Sequence, residues 1–155
     1  MITRRATSEE AARVTGLLGE LWPGRALNSD RTLEVYRRSL GAAADHLRSA
    51  EVEGRAVGFG SMVIKNRFWQ ESYVGCITAF VVEERMRGRG IGRTLIEELS
   101  RIAGANGCRK VELDPGFHRE GVHRFYEGPG FGRRCSILIL SPKMYEMKLA
   151  QEPVS

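Results

Sequence analysis

The chain has 155 residues, enough for one domain with a sizeable core. Hydrophobic residues make up 42% of it and charged residues 28%, ordinary proportions that argue against a disordered chain. No apolar run approaches the roughly 20 residues of a membrane-spanning helix, and the first ten residues lack the apolar core of a signal peptide. We therefore expect a single cytoplasmic domain over residues 1–155.

The formal net charge is +5 and the isoelectric point is about 9.4. A basic balance suits an anionic partner, which could be a nucleic acid, a membrane surface or a phosphorylated cofactor. The arginines form one group in a short glycine-rich stretch and another group later, namely Arg85, Arg87, Arg89 and Arg93, then Arg119, Arg124, Arg133 and Arg134. Such focused charge favours a compact polyanion.

The three cysteines are far apart and odd in number, which predicts reduced thiols. The three histidines do not have the spacing of a metal site, and we expect no metal.

In chain order, residues 2–5 predict a short strand, and Thr7 with Glu10 three residues later predicts a capping box that opens a helix. Apolar residues at helical spacing carry that helix to Trp22, and Pro23-Gly24 stops it. A second helix is predicted by Leu33, Tyr36 and Leu40, and Gly41 ends it.

The middle of the chain predicts three strands over residues 46–53, 56–64 and 73–82, with a turn at Glu53-Gly54. The three strands are typical of an antiparallel meander. Residues 65–71 between the last two are a loop or a strand end. The aromatic rings of this stretch either pack in the core or contact a substrate.

The second half predicts a helix over 90–105, a strand over 109–114, a helix over 119–127 and two strands over 131–140 and 143–149. The resulting order is β-α-α-β-β-β-α-β-α-β-β. It predicts an α/β fold with a mixed, mostly antiparallel sheet flanked by helices.

The most informative segment is Arg87-Gly88-Arg89-Gly90-Ile91-Gly92, which follows a strand and opens a helix. The N-terminus of a helix has unpaired N–H groups and a partial positive charge, so it binds phosphate well. Glycines let the backbone approach the anion, and arginines add charge-assisted hydrogen bonds.

Two other phosphate-binding motifs do not fit this segment. A dinucleotide site needs G-x-G-x-x-G, and its third glycine would fall on Arg93 or Leu95, although Glu112 does lie on a strand about 20 residues further on. A P-loop needs a Gly-Lys pair, which the chain lacks. A glycine turn without ligand is the remaining alternative, but it would not require the arginines.

The chain resembles the GNAT N-acetyltransferase superfamily. The pyrophosphate loop of that family has the pattern Arg/Gln-x-x-Gly-x-Gly/Ala, matched by Arg87, Gly90 and Gly92. A second family pattern, a helix ending in Phe-Tyr followed shortly by Gly-Phe, is matched by Phe125-Tyr126 and Gly130-Phe131. With the order of elements, the resemblance covers nearly the whole chain and implies a GNAT-like fold.

The resemblance implies acetyl-CoA as the cosubstrate, with its pyrophosphate on residues 87–92. It also implies a gap between the strands over 73–82 and 109–114, and a β-bulge in the first of them that frees backbone N–H groups, for which Phe80 and Val82 are the candidates. Where the family often has an asparagine that contacts the cofactor, this chain has Arg119.

For the chemistry, the resemblance makes Tyr126 the general acid that protonates the leaving thiolate. The alternative is that Tyr126 is a core aromatic residue. Many family members carry a glutamate in the fourth strand as the base, but residues 76–80 contain no acid here. The base is therefore open among Glu71, Glu112, Asp114 and a water chain.

The segments that line the acceptor site in the family are residues 21–40 and 65–72 here. Their candidate residues are Trp22, Tyr36, Phe68, Trp69 and Glu71. We expect a small primary amine as acceptor. Acetylation of a protein N-terminus or lysine and a non-catalytic acyl-CoA sensor remain alternatives. A nucleic-acid-binding module lacks any recognition motif, no membrane partner is expected, and homodimer formation is open.

Overall fold

A computed structural model describes residues 1–21 and 26–114 in full, and residues 132–134 and 137–140 as backbone. Seven strands of these residues form one sheet in the order β1-β2-β3-β4-β5-β7-β6. All neighbours are antiparallel except the parallel pair of β4 and β5. The strands are β1 Ile2–Arg5, β2 Asp45–Val52, β3 Arg55–Arg67, β4 Ser72–Val82, β5 Cys108–Leu113, β6 Gly132–Arg134 and β7 Ile137–Leu140.

The described helices are α1 Ala11–Gly19, α2 Ser29–Gly41 and α3 Ile91–Ala105. Short 3-10 turns precede α1, follow β3 and precede the glycine-rich segment, at Ser8–Glu10, Phe68–Gln70 and Glu84–Met86. The mixed, mostly antiparallel sheet with flanking helices confirms the predicted fold class.

The capping box forms as predicted, with the Thr7 N–H donating to Glu10 Oε1 at 3.1 Å. The helix behind it is shorter than predicted, because α1 ends at Gly19, ahead of Pro23. The turn between β2 and β3 has positive φ at both Glu53 and Gly54, as a tight two-residue hairpin requires.

The single strand predicted over 131–140 is wrong. The chain instead forms two short strands, and β6 pairs back on β7 with Gly132 opposite Ile139. No glycine or proline lies between the two strands to signal this reversal. The helix predicted over 119–127 and the strand predicted over 143–149 lie outside the described residues.

Helix α3 packs on one face of the sheet through an apolar stripe of Ile91, Leu95, Ile96, Leu99 and Ala103. Glycines on the sheet permit its close approach. A β-carbon at Gly58 would lie 2.9 Å from Leu95 Cδ1, and one at Gly60 would lie 2.9 Å from Leu99 Cδ1. The close contact fixes the distance between α3 and the sheet, and with it the position of the helix N-terminus relative to β3 and β4.

Helices α1 and α2 pack on the opposite face. They bury Val14, Leu17, Leu18 and Tyr36 against sheet residues that include Leu47, Phe59, Ala79 and Val81. Of these sheet residues, Ala79 and Val81 belong to the end of β4 that leads into the glycine-rich segment. Toward the other end of β4, the same face carries charged side chains, which are described below.

We predict that Gly75→Val lowers the free energy of unfolding by about 1–3 kcal/mol, as overpacking of a core typically does. A β-carbon at Gly75 would lie 2.8 Å from Met62 Sδ and 3.3 Å from Ala103 Cβ on α3. Urea denaturation followed by circular dichroism measures the change.

Gly16→Ala serves as the opposite case. Gly16 lies inside α1, and among the described residues no atom apart from the chain neighbours and the nearby backbone of α1 lies within 4 Å of an added β-carbon. Helix propensity alone should therefore raise the stability by up to about 1 kcal/mol. Equal stability of Gly75→Val and the parent chain would contradict the packing described here.

Candidate active site

The glycine-rich segment forms an open cradle at the start of α3. Gly90 is the N-cap of the helix with φ +82°, and Gly88 has φ +77°. Among the described residues, no heavy atom apart from those of the chain neighbours lies within 4 Å of the place where a β-carbon would stand at either glycine. The first N–H groups of a helix have no intrahelical partner, so this space suits a phosphate group.

Arginines surround the cradle. Arg85, Arg89 and Arg93 have exposed side chains, and Arg87 turns back on the sheet. Its Nε donates to the Val82 carbonyl at 3.0 Å, and its Nη2 lies 3.7 Å from Glu20 Oε2. The concentration of positive charge predicted from the sequence therefore lies around the helix N-terminus.

Glu83 fixes the entry to this segment. Its N–H donates to the Val57 carbonyl at 2.8 Å, and its carboxylate pairs with Arg55 at 2.8 Å and with Arg13 at 2.9 Å. The hydrogen bond from Arg55, helped by the charge of Arg13, lowers the pKa of Glu83. The segment is thus tied to both β3 and α1.

A β-bulge interrupts β4 at Thr78. Ser61 of β3 is opposite Ala79, whereas the next residue, Met62, is opposite Ile77, so Thr78 is one extra residue. The Thr78 hydroxyl donates to Ser61 Oγ at 3.0 Å. The fourth-strand bulge that the resemblance implied is therefore present.

The sheet opens next to the bulge. The register of β4 with β5 ends at Ile77 opposite Leu113, and the Asp114 N–H donates to the Ile77 carbonyl at 2.9 Å. Beyond Ile77, none of the described strands pairs with β4 on this side, and β4 continues to Val82. Because the Glu83 N–H points to β3, alternation directs the peptide groups of Phe80 and Val82 away from β3, toward this opening.

The three acids that the sequence left open as the base have different surroundings. Glu71 lies at the turn between β3 and β4 with φ +50°, roughly 23 Å along the strand from Thr78. Glu112 is buried and paired, with Oε2 2.7 Å from Arg67 Nη2 and Oε1 3.1 Å from Lys110 Nζ. Asp114 follows β5 directly at the opening and is the nearest of the three acids to it.

Tyr36 is a core residue in this fold. Only 4% of it is exposed, and its hydroxyl donates to the Thr7 carbonyl at 2.5 Å. Its ring lies 6.0 Å from the Phe59 ring in a tilted arrangement, and burial raises its pKa to about 12. Ring and hydroxyl are both engaged within the fold, which favours a structural role over acceptor contact.

The aromatic residues after β3 are exposed. Phe68 is 91% exposed and Trp69 is 77% exposed, so the core-packing alternative for them is wrong. Three of the other predicted site residues, Trp22, Arg119 and Tyr126, lie outside the described residues.

Apart from Glu112, the charged residues on β3 and β5 were not singled out by the sequence analysis. Lys65 and Arg67 lie at the end of β3, and Lys110 and Glu112 lie on β5 with Val111 between them. In each segment the two charged residues are two positions apart, which indicates that they share one face of their strand. Only the strand register shows that the two pairs lie next to each other. Between them lies Cys76, a buried thiol whose pKa burial raises.

Within the described ranges, no three His, Cys, Asp or Glu side chains are grouped so as to hold a metal ion. Nor is any helix there both long and apolar enough to cross a membrane.

The fold, the bulge and the glycine cradle together define an N-acetyltransferase architecture. The profile of the Acetyltransferase (GNAT) family matches residues 12–131. The chain therefore belongs to the GNAT acetyltransferase family.

Relatives within the family act on different amines. A glucosamine 6-phosphate N-acetyltransferase of Trypanosoma brucei brucei is 40% identical over 79 residues, which are 50% of this chain and 52% of that protein. The match thus spans about half of its length. An aminoglycoside N(6′)-acetyltransferase type 1 of Stenotrophomonas maltophilia is 27% identical over 132 residues, 83% of this chain and 84% of that protein.

A solved structure of the aminoglycoside N-acetyltransferase AAC(6′)-Iy in complex with CoA has the same fold. It superposes with a TM-score of 0.75 at 24% identity, over 85% of this chain and 88% of that one.

Proposed function

We propose that this protein is a cytoplasmic, single-domain N-acetyltransferase that transfers the acetyl group of acetyl-CoA to the primary amine of a small molecule. The observation that carries the proposal is the opening of the sheet between β4 and β5. It lies next to the bulge at Thr78 and on the strand that leads to the glycine cradle at the start of α3.

The chain has the groups that acetyl-CoA requires. Residues 87–92 would hold the pyrophosphate, because Gly88 and Gly90 leave open space before a helix N-terminus. The N–H groups of Phe80 and Val82 would hold the pantetheine arm and the thioester, and Arg119 is a further candidate for a phosphate contact. Bound acetyl-CoA supplies an acetyl group activated as a thioester.

The reaction needs a base, an oxyanion stabiliser and an acid. As the amine nitrogen bonds to the carbonyl carbon, Asp114 accepts the proton that the nitrogen loses. The Phe80 N–H stabilises the negative charge that grows on the carbonyl oxygen. When the C–S bond breaks, Tyr126 donates its hydroxyl proton to the sulfur, since a tyrosine of ordinary pKa, about 10, is protonated at neutral pH.

Both relatives described above are named for small amino-sugar acceptors, which supports a small molecule over a protein N-terminus or lysine. The absence of a glutamate from the fourth strand raised the alternative of a non-catalytic acyl-CoA sensor. Asp114 at the opening provides another acid at a suitable place and weakens that alternative. The exposed Phe68 and Trp69, with Trp22, remain candidates for contacts to the distal part of an acceptor.

For the cosubstrate site, we predict that Gly90→Ala raises the Kd of CoA by about tenfold or more, because the added β-carbon displaces a phosphate from charge-assisted hydrogen bonds. Gly107→Ala is the matched control. Gly107 also has a positive φ, +80°, but it follows the other end of α3, roughly 20 Å away.

Isothermal titration of CoA into both folded variants measures the effect. If Gly90→Ala binds CoA as well as Gly107→Ala does, the cradle is not the pyrophosphate site.

For the acid, Tyr126→Phe keeps the ring and removes only the hydroxyl. We predict that kcat falls by about 10²- to 10⁴-fold, the usual contribution of a general acid, while the Kd of CoA stays the same. Steady-state kinetics with a saturating amine checks this. A kcat within about twofold of the parent enzyme would exclude the role.

For the base, we predict that Asp114→Asn lowers kcat/KM by about 10²-fold or more at neutral pH and that raising the pH partly restores it, because more amine then arrives deprotonated. Glu71→Gln removes a carboxylate at the far end of β4 and should change kcat/KM little. Profiles of kcat/KM against pH for both variants distinguish the two acids. The reverse pattern would assign the base to Glu71.

A further inference from the structure

One face of β3, β4 and β5 carries a group of charges beyond the area that α1 and α2 cover. We call the group Lys65, Arg67, Lys110, Glu112 and Asp114 the charged face. The strand register brings these residues together, since Val74 is opposite both Lys65 and Lys110, and Cys76 is opposite Glu112.

The charged face lies on the side of the sheet away from α3. Gly75 and Ile77, which alternate with Val74 and Cys76 along β4, both face α3. A β-carbon at Gly75 would lie 3.3 Å from Ala103 Cβ, and Ile77 belongs to the core that α3 completes. Strand alternation therefore directs Val74 and Cys76, and the charged residues beside them, to the opposite side.

The cations of the charged face outnumber their partner carboxylate. Glu112 has an 11% exposed side chain and pairs with both Arg67, 27% exposed, and Lys110, 18% exposed. Lys65 adds a third positive charge on an exposed side chain. At the Lys65 and Lys110 end of the face, three cations against the one carboxylate of Glu112 leave an excess of two positive charges, while Asp114 lies at the other end. Partly buried charge is costly unless it is compensated, so the group favours a further anion.

The charges are also ordered along the strands. Asp114 lies at the opening of the sheet, where its N–H bonds to the Ile77 carbonyl. The row of Lys65 and Lys110 is four residues of β4 before Thr78, roughly 13 Å away, and Glu112 lies between the two. A ligand on this face thus meets a carboxylate near the reacting end and cations at the other end.

From this order we infer that the acceptor is a small amine that carries a phosphate group, a substrate class that rests on the proposed transferase function. Its ammonium group lies toward Asp114, and its phosphate lies among Lys65, Arg67 and Lys110. A phosphate monoester has a charge of about −1.5 to −2 at pH 7, which matches the excess. The guanidinium of Arg67 can also bind phosphate oxygens in pairs. A polycationic amine would be repelled at the same place.

The first test compares amines as acceptors with the unmodified enzyme. Glucosamine 6-phosphate and glucosamine differ only in the phosphate, and neamine is a polycationic amino sugar. We expect kcat/KM for glucosamine 6-phosphate to exceed that for glucosamine by about tenfold or more, as one or more charge-assisted hydrogen bonds allow. Added salt should reduce this preference. Equal values, or a preference for neamine, would overturn the inference.

The second test uses Lys65→Gln, which removes an exposed cation with no ion pair to Glu112 and should leave the fold intact. We expect KM for glucosamine 6-phosphate to rise by about tenfold, with kcat and KM for glucosamine unchanged. Arg101→Gln is the matched control. It removes one positive charge from a 65% exposed side chain of α3, which packs on the other face of the sheet.

Equal effects of the two variants would mean that only overall charge matters and would also overturn the inference. A third measurement does not depend on turnover, namely titration of glucosamine 6-phosphate into the CoA-loaded protein and into CoA-loaded Lys65→Gln. No binding, or equal binding to both, contradicts the phosphate site. A protein that acetylates amines without any phosphate preference keeps the proposed function and loses this inference. A protein that binds glucosamine 6-phosphate at Lys65 but acetylates no amine keeps the phosphate site and loses the proposed transferase function.

Discussion

The arrangement of this protein depends on one extra residue in β4. Thr78 has no partner in β3, and its insertion shifts the alternation of the strand. Before it, Ile77 faces α3; after it, Ala79 and Val81 face α1 and α2, while Phe80 faces α3 again. If the strand ran regularly through Thr78, without a bulge, Phe80 would turn to the opposite face. The bulge thus lets both faces of β4 keep an apolar core where β5 ends and the sheet opens.

The opening and the cradle are held in register by the packing of α3. The helix begins at Ile91, only nine residues after β4 ends, and the glycines beneath it admit its side chains to within van der Waals contact of the sheet. Glu83 anchors the connection to β3 and α1 through Arg55 and Arg13. A phosphate-sized space is therefore fixed relative to the peptide groups of Phe80 and Val82, and a ligand that spans both would meet a preformed surface.

How far the sequence could predict these features depends on the signal that each leaves. Helical and alternating periodicity located the described helices and β1–β5, and the glycine spacing located the cradle. The bulge leaves no such signal, because an extra threonine in an apolar strand looks like any other residue. Tyr36 has the same helical spacing whether it is a core or a site residue, and only the bond of its hydroxyl to Thr7 favours the core. The pairing of Arg67 with Glu112 requires a register that neither segment encodes alone.

The basic composition of the chain has a different meaning once the charges are located. As a total, without the positions of the charges, a net charge of +5 suits a nucleic acid as well as a small anion. In the fold, many of the arginines are paired with acids, among them Arg4 with Glu10 and Arg48 with Glu98. Among the described residues, one group of positive charges lies at the cradle before α3 and another on the face of β3 and β5. The cradle lies beyond the Val82 end of β4 and the charged face lies beside Val74 and Cys76, so the two groups lie on either side of the opening at Thr78. Each group is compact, whereas a duplex would need an extended exposed stripe. The charge therefore matches two compact anions that meet at one reacting centre.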